Sequence, residues 1–143
     1  MTIKIELSKQ PDATELQVLE DGLNQFTASH IGDDDRKDIT FLLRNEQSEI
    51  VGGIKGSHGS YGWLWVDTLW VNDALRKQGF GGQLLLALEQ QAIKNGCQNA
   101  YLNTFSFSGV EFYKKHGYSV YAELKDFPKG HSVFSLQKKL VEN

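Results

Sequence analysis

Cysteine is almost missing from this chain: Cys97 is the only one among 143 residues. That excludes an internal disulfide and any zinc site built from several thiolates, and leaves Cys97 as a buried apolar filler rather than a nucleophile. Proline is scarce too, at two residues. No Pro/Ser-rich linker, internal repeat or low-complexity tract interrupts the chain, so residues 1–143 are expected to form a single domain. No apolar run approaches the length of a membrane span, and the alternating start Met1 to Leu7 lacks the core of a signal peptide, so the expected location is cytoplasmic. Basic clusters go no further than Lys114-Lys115 and Lys138-Lys139, and the formal charge is -3. Without a basic stripe to displace counterions, nucleic acid is not an expected partner, and neither is a membrane. The four histidines, His30, His58, His116 and His131, are scattered without metal-ligand spacing, so no metal is expected.

What remains is an ordinary globular composition, 40% hydrophobic and 23% charged, in a chain long enough to build its own core. A strand is expected at Ile3–Leu7, then a helix. Asp12 and Glu15 have capping-box spacing, and Leu16, Leu19, Leu23 and Phe26 keep one apolar face until Gly32 and Asp33-Asp34-Asp35 interrupt it. Two strands follow, Ile39–Arg44 and Ile50–Ser57, then a longer one, Tyr61–Val71, carrying all three tryptophans. Simple alternation puts Trp63, Trp65, Asp67, Leu69 and Val71 on one face, with Asp67 the only charge in that strand. A helix with the stripe Leu84, Leu85, Leu88, Ala92 and Ile93 runs to Gly96. A strand at Ala100–Phe105, a short helix at Ser108–His116 and strands at Tyr118–Leu124 and Ser132–Leu140 complete the order β-α-β-β-β-α-β-α-β-β. That order implies an α/β sandwich, a mixed sheet covered by helices.

Between the Trp-rich strand and the striped helix lies Arg76-Lys77-Gln78-Gly79-Phe80-Gly81-Gly82. The first turn of a helix leaves N–H groups unpaired and carries partial positive charge, and glycines remove the Cβ atoms that would hold a diphosphate away. A dinucleotide fingerprint does not fit, because Leu84 stands where its third glycine belongs, and the Gly-Lys-Ser/Thr ending of a Walker loop is absent. A turn that merely starts a helix is the plain alternative.

The stretch Val71 to Leu85 resembles the central Arg/Gln-x-x-Gly-x-Gly/Ala motif of the GNAT superfamily of acyl-CoA-dependent N-acetyltransferases. Phe112-Tyr113-Lys114-Lys115-His116-Gly117-Tyr118 is similar to that family's second signature, Phe-Tyr-x-x-x-Gly-Phe/Tyr, in the expected order. The resemblance runs from about Ile3 to about Leu140. It implies a GNAT-like, mostly antiparallel sheet splayed at its middle. It also implies acetyl-CoA as acyl donor, a small-molecule amine as acceptor, and a homodimer as a common assembly. Carried over residue by residue, it has the strand segment Leu69, Trp70 and Val71 pair with the pantetheine arm. The amides of Gln78, Gly79, Phe80, Gly81 and Gly82 then take the diphosphate, with Arg76 and Lys77 nearby. Tyr113 comes to stand beside the departing sulfur. Many members carry Asn seven residues before that tyrosine; here the position is Ser106, whose shorter side chain leaves less reach toward the coenzyme.

Acetyl transfer to an amine needs a base, because an amine of pKa about 10.4 is almost wholly protonated at neutral pH. Asp67 is the candidate base; the alternative is an ion pair or loop cap. Tyr113 is the candidate acid, since a phenol of pKa about 10 facing a thiol of about 8.5 leaves a gap of about 2 kcal/mol; the alternative is packing beside Phe112 and Tyr118. The amide of Val71 is the candidate oxyanion donor. Asp33, Asp34 and Asp35 are candidates for attracting a cationic acceptor, against a merely solvated loop, and His131 for facing the acceptor. Trp63 and Trp65 suit the core, the acceptor cleft or a subunit contact. Competing functions are a non-catalytic acyl-CoA-binding module, a protein or peptide N-acetyltransferase, and an interaction domain.

Overall fold

A computed structural model of the chain describes residues 1–142. It divides into two compact units, Met1–Asp34 and Asp35–Asn143. In the first, helix α1 spans Ala13–Ile31. Its capping box closes as the spacing requires: Glu15 N–H donates to Asp12 Oδ1 at 2.8 Å, and Asp12 N–H to Glu15 Oε1 at 3.0 Å. Gly32, at φ 82, ends it. The strand expected at Ile3–Leu7 does not form; those residues have no regular secondary structure. Alternation supplies a strand's pattern, but only ladder bonds to a neighbour make one, and these residues are no part of the sheet.

The second unit holds a six-stranded mixed sheet of order β1-β2-β3-β4-β6-β5. Its strands are β1 Lys37–Arg44, β2 Ile50–His58, β3 Trp63–Val71, β4 Asn99–Phe105, β5 Ser119–Lys125 and β6 Ser132–Lys139. All neighbours are antiparallel except β3 and β4. Helix α2, Phe80–Lys94, turns Leu84, Leu85, Leu88 and Ala92 inward, and these pack with Ile54, Leu64, Val66, Ala100, Leu102 and Leu136. Each such leucine contributes about 1.5–3 kcal/mol by leaving water. Cys97 sits in this core, and burial pushes its thiol pKa up, which suits packing and not nucleophilic attack. Helix α3, Val110–Lys115, is short and ends at Gly117, whose φ of 93 lets the chain turn into β5.

Two irregularities position everything that follows. First, β2 and β3 pair through Gly56↔Val66, then resume at Lys55↔Thr68, so Asp67 is an extra residue without a partner. A bulge of this kind shifts the alternation by one. The odd-numbered residues of β3 therefore do not share one face as simple alternation required. Leu64 and Val66 are buried before the bulge, whereas Leu69 and Val71 pack against the core after it. Trp63 and Trp65 fall on the other face, where both meet the Tyr101 ring, at 5.7 and 4.9 Å.

Second, β3 and β4 are bonded only at Trp63↔Asn99, Leu64↔Ala100 and Trp65↔Tyr101. Beyond that point both strands continue, β3 to Val71 and β4 to Phe105, without pairing. The sheet is split there.

Candidate active site

The split opens into a cleft of about 1220 Å³. One wall is β3 from Asp67 to Val71; the other is the end of β4, with Asn103, Thr104 and Phe105, followed by Phe107 and Gly109. The start of α2 and the α3 residues Phe112 and Tyr113 complete it.

The β3 wall offers backbone groups. Asn72 N–H points toward β2, donating to the Val51 carbonyl at 2.8 Å. Because successive strand amides point to opposite edges, those of Val71 and Leu69 face the split. On that edge the Val71 carbonyl is already engaged by Arg76 Nε at 3.0 Å, while the Arg76 guanidinium also pairs with Asp73 at 2.9 Å. Arg76 is thus tied across the loop, and its charge is partly spent there.

At the far end the chain enters α2 through Lys77, at φ 65, and Gly79, at φ 87 and ψ 1. Gly79 is the residue type that takes this left-handed conformation without strain. No side chain caps the helix. Among the described residues, no protein acceptor takes the N–H groups of Gln78, Gly79, Phe80, Gly81 or Gly82; the next amide, Gln83, bonds back to the Gly79 carbonyl at 3.1 Å. Gly82 has a further reason to be glycine: a Cβ there would lie 2.8 Å from His116 Cε1. Open amides, helix dipole and absent Cβ atoms together make an anion-accepting concavity.

Tyr113 lines the cleft and is 9% exposed as a residue. The backbone of Gly109 backs one side, where a Cβ would come within 3.1 Å of the ring. The Tyr118 ring meets it edge-on, centroids 5.7 Å apart. Its hydroxyl has no hydrogen-bond partner among the described residues, and burial raises its pKa to about 12. Tyr113 is therefore a neutral phenol throughout the working range. Asp67 also lines the cleft, exposed, and no described residue gives its carboxylate a hydrogen bond or ion pair.

Leu69, Trp70, Val71, Arg76, Lys77, Gly79, Phe80, Gly81, Gly82, Tyr113 and Asp67, scattered over 47 positions of sequence, meet around this one cleft. Two expected members do not line it. Ser106 closes the end of the β4–β6 ladder: its N–H donates to the Ser132 carbonyl at 2.8 Å, and its Oγ accepts the Ser132 N–H at 3.0 Å. Gln78 directs its side-chain amide to the Ala74 carbonyl. His131 stands one layer back, edge-on to the Phe107 ring at 5.1 Å. No group of three or more His, Cys, Asp or Glu side chains placed to hold a metal occurs among the described residues.

Sequence reasoning missed Glu89, Lys138 and His116, all of which line the cleft. Glu89 is buried, accepting the Tyr118 hydroxyl at 2.7 Å and the Lys138 ammonium at 2.9 Å. Burial first, then the Glu89 charge and hydrogen bond, push the Tyr118 phenol far above its ordinary range. The signal for Glu89 was available, since a carboxylate four residues after Leu85 lies on the apolar stripe of α2.

The model of the Acetyltransferase (GNAT) family matches residues 8–118. An acetyltransferase of Agrobacterium fabrum is 32% identical over 133 residues, covering 93% of this chain and 96% of its own. The blasticidin-S acetyltransferase of Streptomyces morookaense is 35% identical over 96 residues, covering 66% and 70%. The crystal structure of a Bacillus cereus acetyltransferase superimposes with a TM-score of 0.86 at 33% identity, covering 94% and 97%. The split sheet, the open glycine turn and these matches place the chain in the GNAT family: it is an acetyltransferase.

Proposed function

We propose that the protein moves an acetyl group from acetyl-CoA to a primary amine of a small molecule, by direct attack of the amine on the thioester. The observation that carries this reading is the run of unpaired amides from Gly79 to Gly82, set in one continuous cleft with Tyr113. The cleft exceeds the 300–1,000 Å³ of ordinary ligand sites, leaving space for an extended donor and an acceptor together. The relationship to a blasticidin-S acetyltransferase favours a small-molecule acceptor. The family match spans both compact units and supports counting the chain as one acetyltransferase domain.

Bound acetyl-CoA supplies an activated acyl group and a thiolate leaving group. The chain's residues have four tasks. The amides from Gln78 to Gly82 hold the diphosphate, and the Leu69 and Val71 backbone aligns the pantetheine arm. The Val71 N–H, on the open edge of β3, faces the carbonyl oxygen as negative charge develops on it. Asp67 takes, directly or through water, the proton that the amine gives up as the C–N bond forms. Tyr113 donates its hydroxyl hydrogen bond to sulfur as the C–S bond breaks. With Tyr113 near 12 and a thiol near 8.5, full transfer to leave a tyrosinate is uphill by about 5 kcal/mol, so the phenol acts as a hydrogen-bond donor or in a concerted transfer.

A panel of amines, including aminonucleosides, polyamines, aminoglycosides and amino acids, tested for thiol release from acetyl-CoA, checks the reading. Turnover with one class and a rise in melting temperature with acetyl-CoA are expected. No shift at a large excess, where a ligand at 100 Kd adds about 2.7 kcal/mol, would remove the donor assignment.

A further inference from the structure

Glu89 stands out because charged side chains are seldom buried without a task, and among the described residues it is the only buried carboxylate. It is fully engaged: one oxygen accepts from Tyr118, the other from Lys138. Lys138 also stands 5.6 Å above the Tyr118 ring, fixing that ring from a second direction. Tyr118 in turn holds Tyr113 twice, by donating its N–H to the Tyr113 carbonyl at 3.0 Å and by the ring contact at 73°. Three elements, α2, β6 and the α3–β5 turn, thus converge on the tyrosine that the cleft exposes. Among the described residues Tyr113 has no hydrogen-bond partner for its hydroxyl, so its ring is held by packing alone: Gly109 against it, and the Phe112 and Tyr118 rings edge-on at 5.1 and 5.7 Å.

We propose that Glu89 is a positioning residue for acetyl transfer: with Lys138 it pins the Tyr118 phenol, and the pinned Tyr118 ring holds the Tyr113 hydroxyl aimed at the departing sulfur. The inference rests on the reading of Tyr113 as the group that meets the thiolate. It gives the buried Glu89 and its half-buried partner Lys138 a role that stability does not require, since apolar residues of similar volume often serve a core as well as an ion pair. A sub-ångström tilt of a donor ring is enough to lose rate, because hydrogen-bond support to a leaving group depends steeply on direction.

The test is a double-mutant cycle on kcat with acetyl-CoA and the best amine from the panel, using Tyr118→Phe, Tyr113→Phe and both together. Tyr118→Phe keeps the ring and removes only the bond to Glu89. It should lower kcat about tenfold while the KM for acetyl-CoA changes less than about twofold. In the Tyr113→Phe background the same change should cost almost nothing, because there is no hydroxyl left to aim. Glu89→Gln, which retains an acceptor for the Tyr118 hydroxyl, should keep kcat within about threefold of the parent, whereas Glu89→Leu should match Tyr118→Phe. If Tyr118→Phe melts below the assay temperature, the cycle is run with Glu89→Leu in its place. Additive losses, or a folded Tyr118→Phe or Glu89→Leu enzyme with parental kcat, overturn the proposal. Should Tyr113→Phe itself leave kcat untouched, the failure lies in the acid assignment instead, and an intact acetyl-CoA thermal shift shows the donor site unaffected.

Discussion

Replacing Tyr113 by Phe removes one oxygen and tests the proposed chemistry with little structural disturbance. The hydroxyl has no protein partner among the described residues, and the ring contacts with Gly109 and Tyr118 survive the change. Stability should therefore move by no more than about 0.5 kcal/mol. The kinetic loss has a ceiling fixed by acidity. Since complete proton transfer from a phenol of pKa about 12 is uphill by about 5 kcal/mol, the hydroxyl's contribution is that of a hydrogen bond to a charged acceptor, about 1.5–3 kcal/mol. That corresponds to a drop in kcat of about 10- to 150-fold, with the KM for acetyl-CoA little changed. Thiol release at saturating acetyl-CoA, followed colorimetrically from pH 6 to about 9, measures it. The deficit should be flat over that range, because Tyr113 stays protonated throughout. A kcat equal to the parent's, or a deficit shrinking steadily toward pH 9 as the parent's phenol lost its proton, would refute the reasoning: the first removes the role, the second the raised pKa.

Other outcomes follow from the same geometry. Asp67→Asn should lower kcat/KM for the amine by about 10²–10⁴ at neutral pH without altering the melting temperature, since the carboxylate is exposed and unpaired; steady-state kinetics and a thermal scan check both halves. Gly82→Ala should change stability by less than about 1 kcal/mol, because the new Cβ meets only the tip of the half-buried His116 ring, which can swing from its 4.6 Å contact with Phe112, while acetyl-CoA binding weakens; unchanged calorimetric affinity would contradict this. Tyr113 holds its proton more tightly folded than unfolded, so stability is intact below pH about 10 and falls as pH rises toward about 12, by about 3 kcal/mol. Chemical denaturation across that window should show the fall, and the Tyr113→Phe variant should show less of it.

Much of the site was legible in the chain because its chemistry is carried locally. A glycine turn opening a helix announces unpaired amides whatever surrounds it, and Gly79 to Gly82 did so here. The capping box at Asp12 and the stripe on α2 were readable for the same reason: hydrogen-bond spacing and helical period are short-range properties. Ser106 was read from a motif position, but position does not fix a side chain's partner, and the Ser132 amide competes for its Oγ.

The order of elements from α1 onward, the glycine turn opening α2 and the place of Tyr113 on a short helix were determined by sequence alone, since periodicity, caps and glycine conformations act over a few residues. Only the tertiary structure decided where β3 and β4 part, how the bulge at Asp67 reverses the faces of the Trp-rich strand, and that Glu89, Lys138 and Tyr118 meet behind Tyr113. Strand pairing and buried polar contacts join residues up to 49 positions apart, and no local pattern encodes which of them will touch.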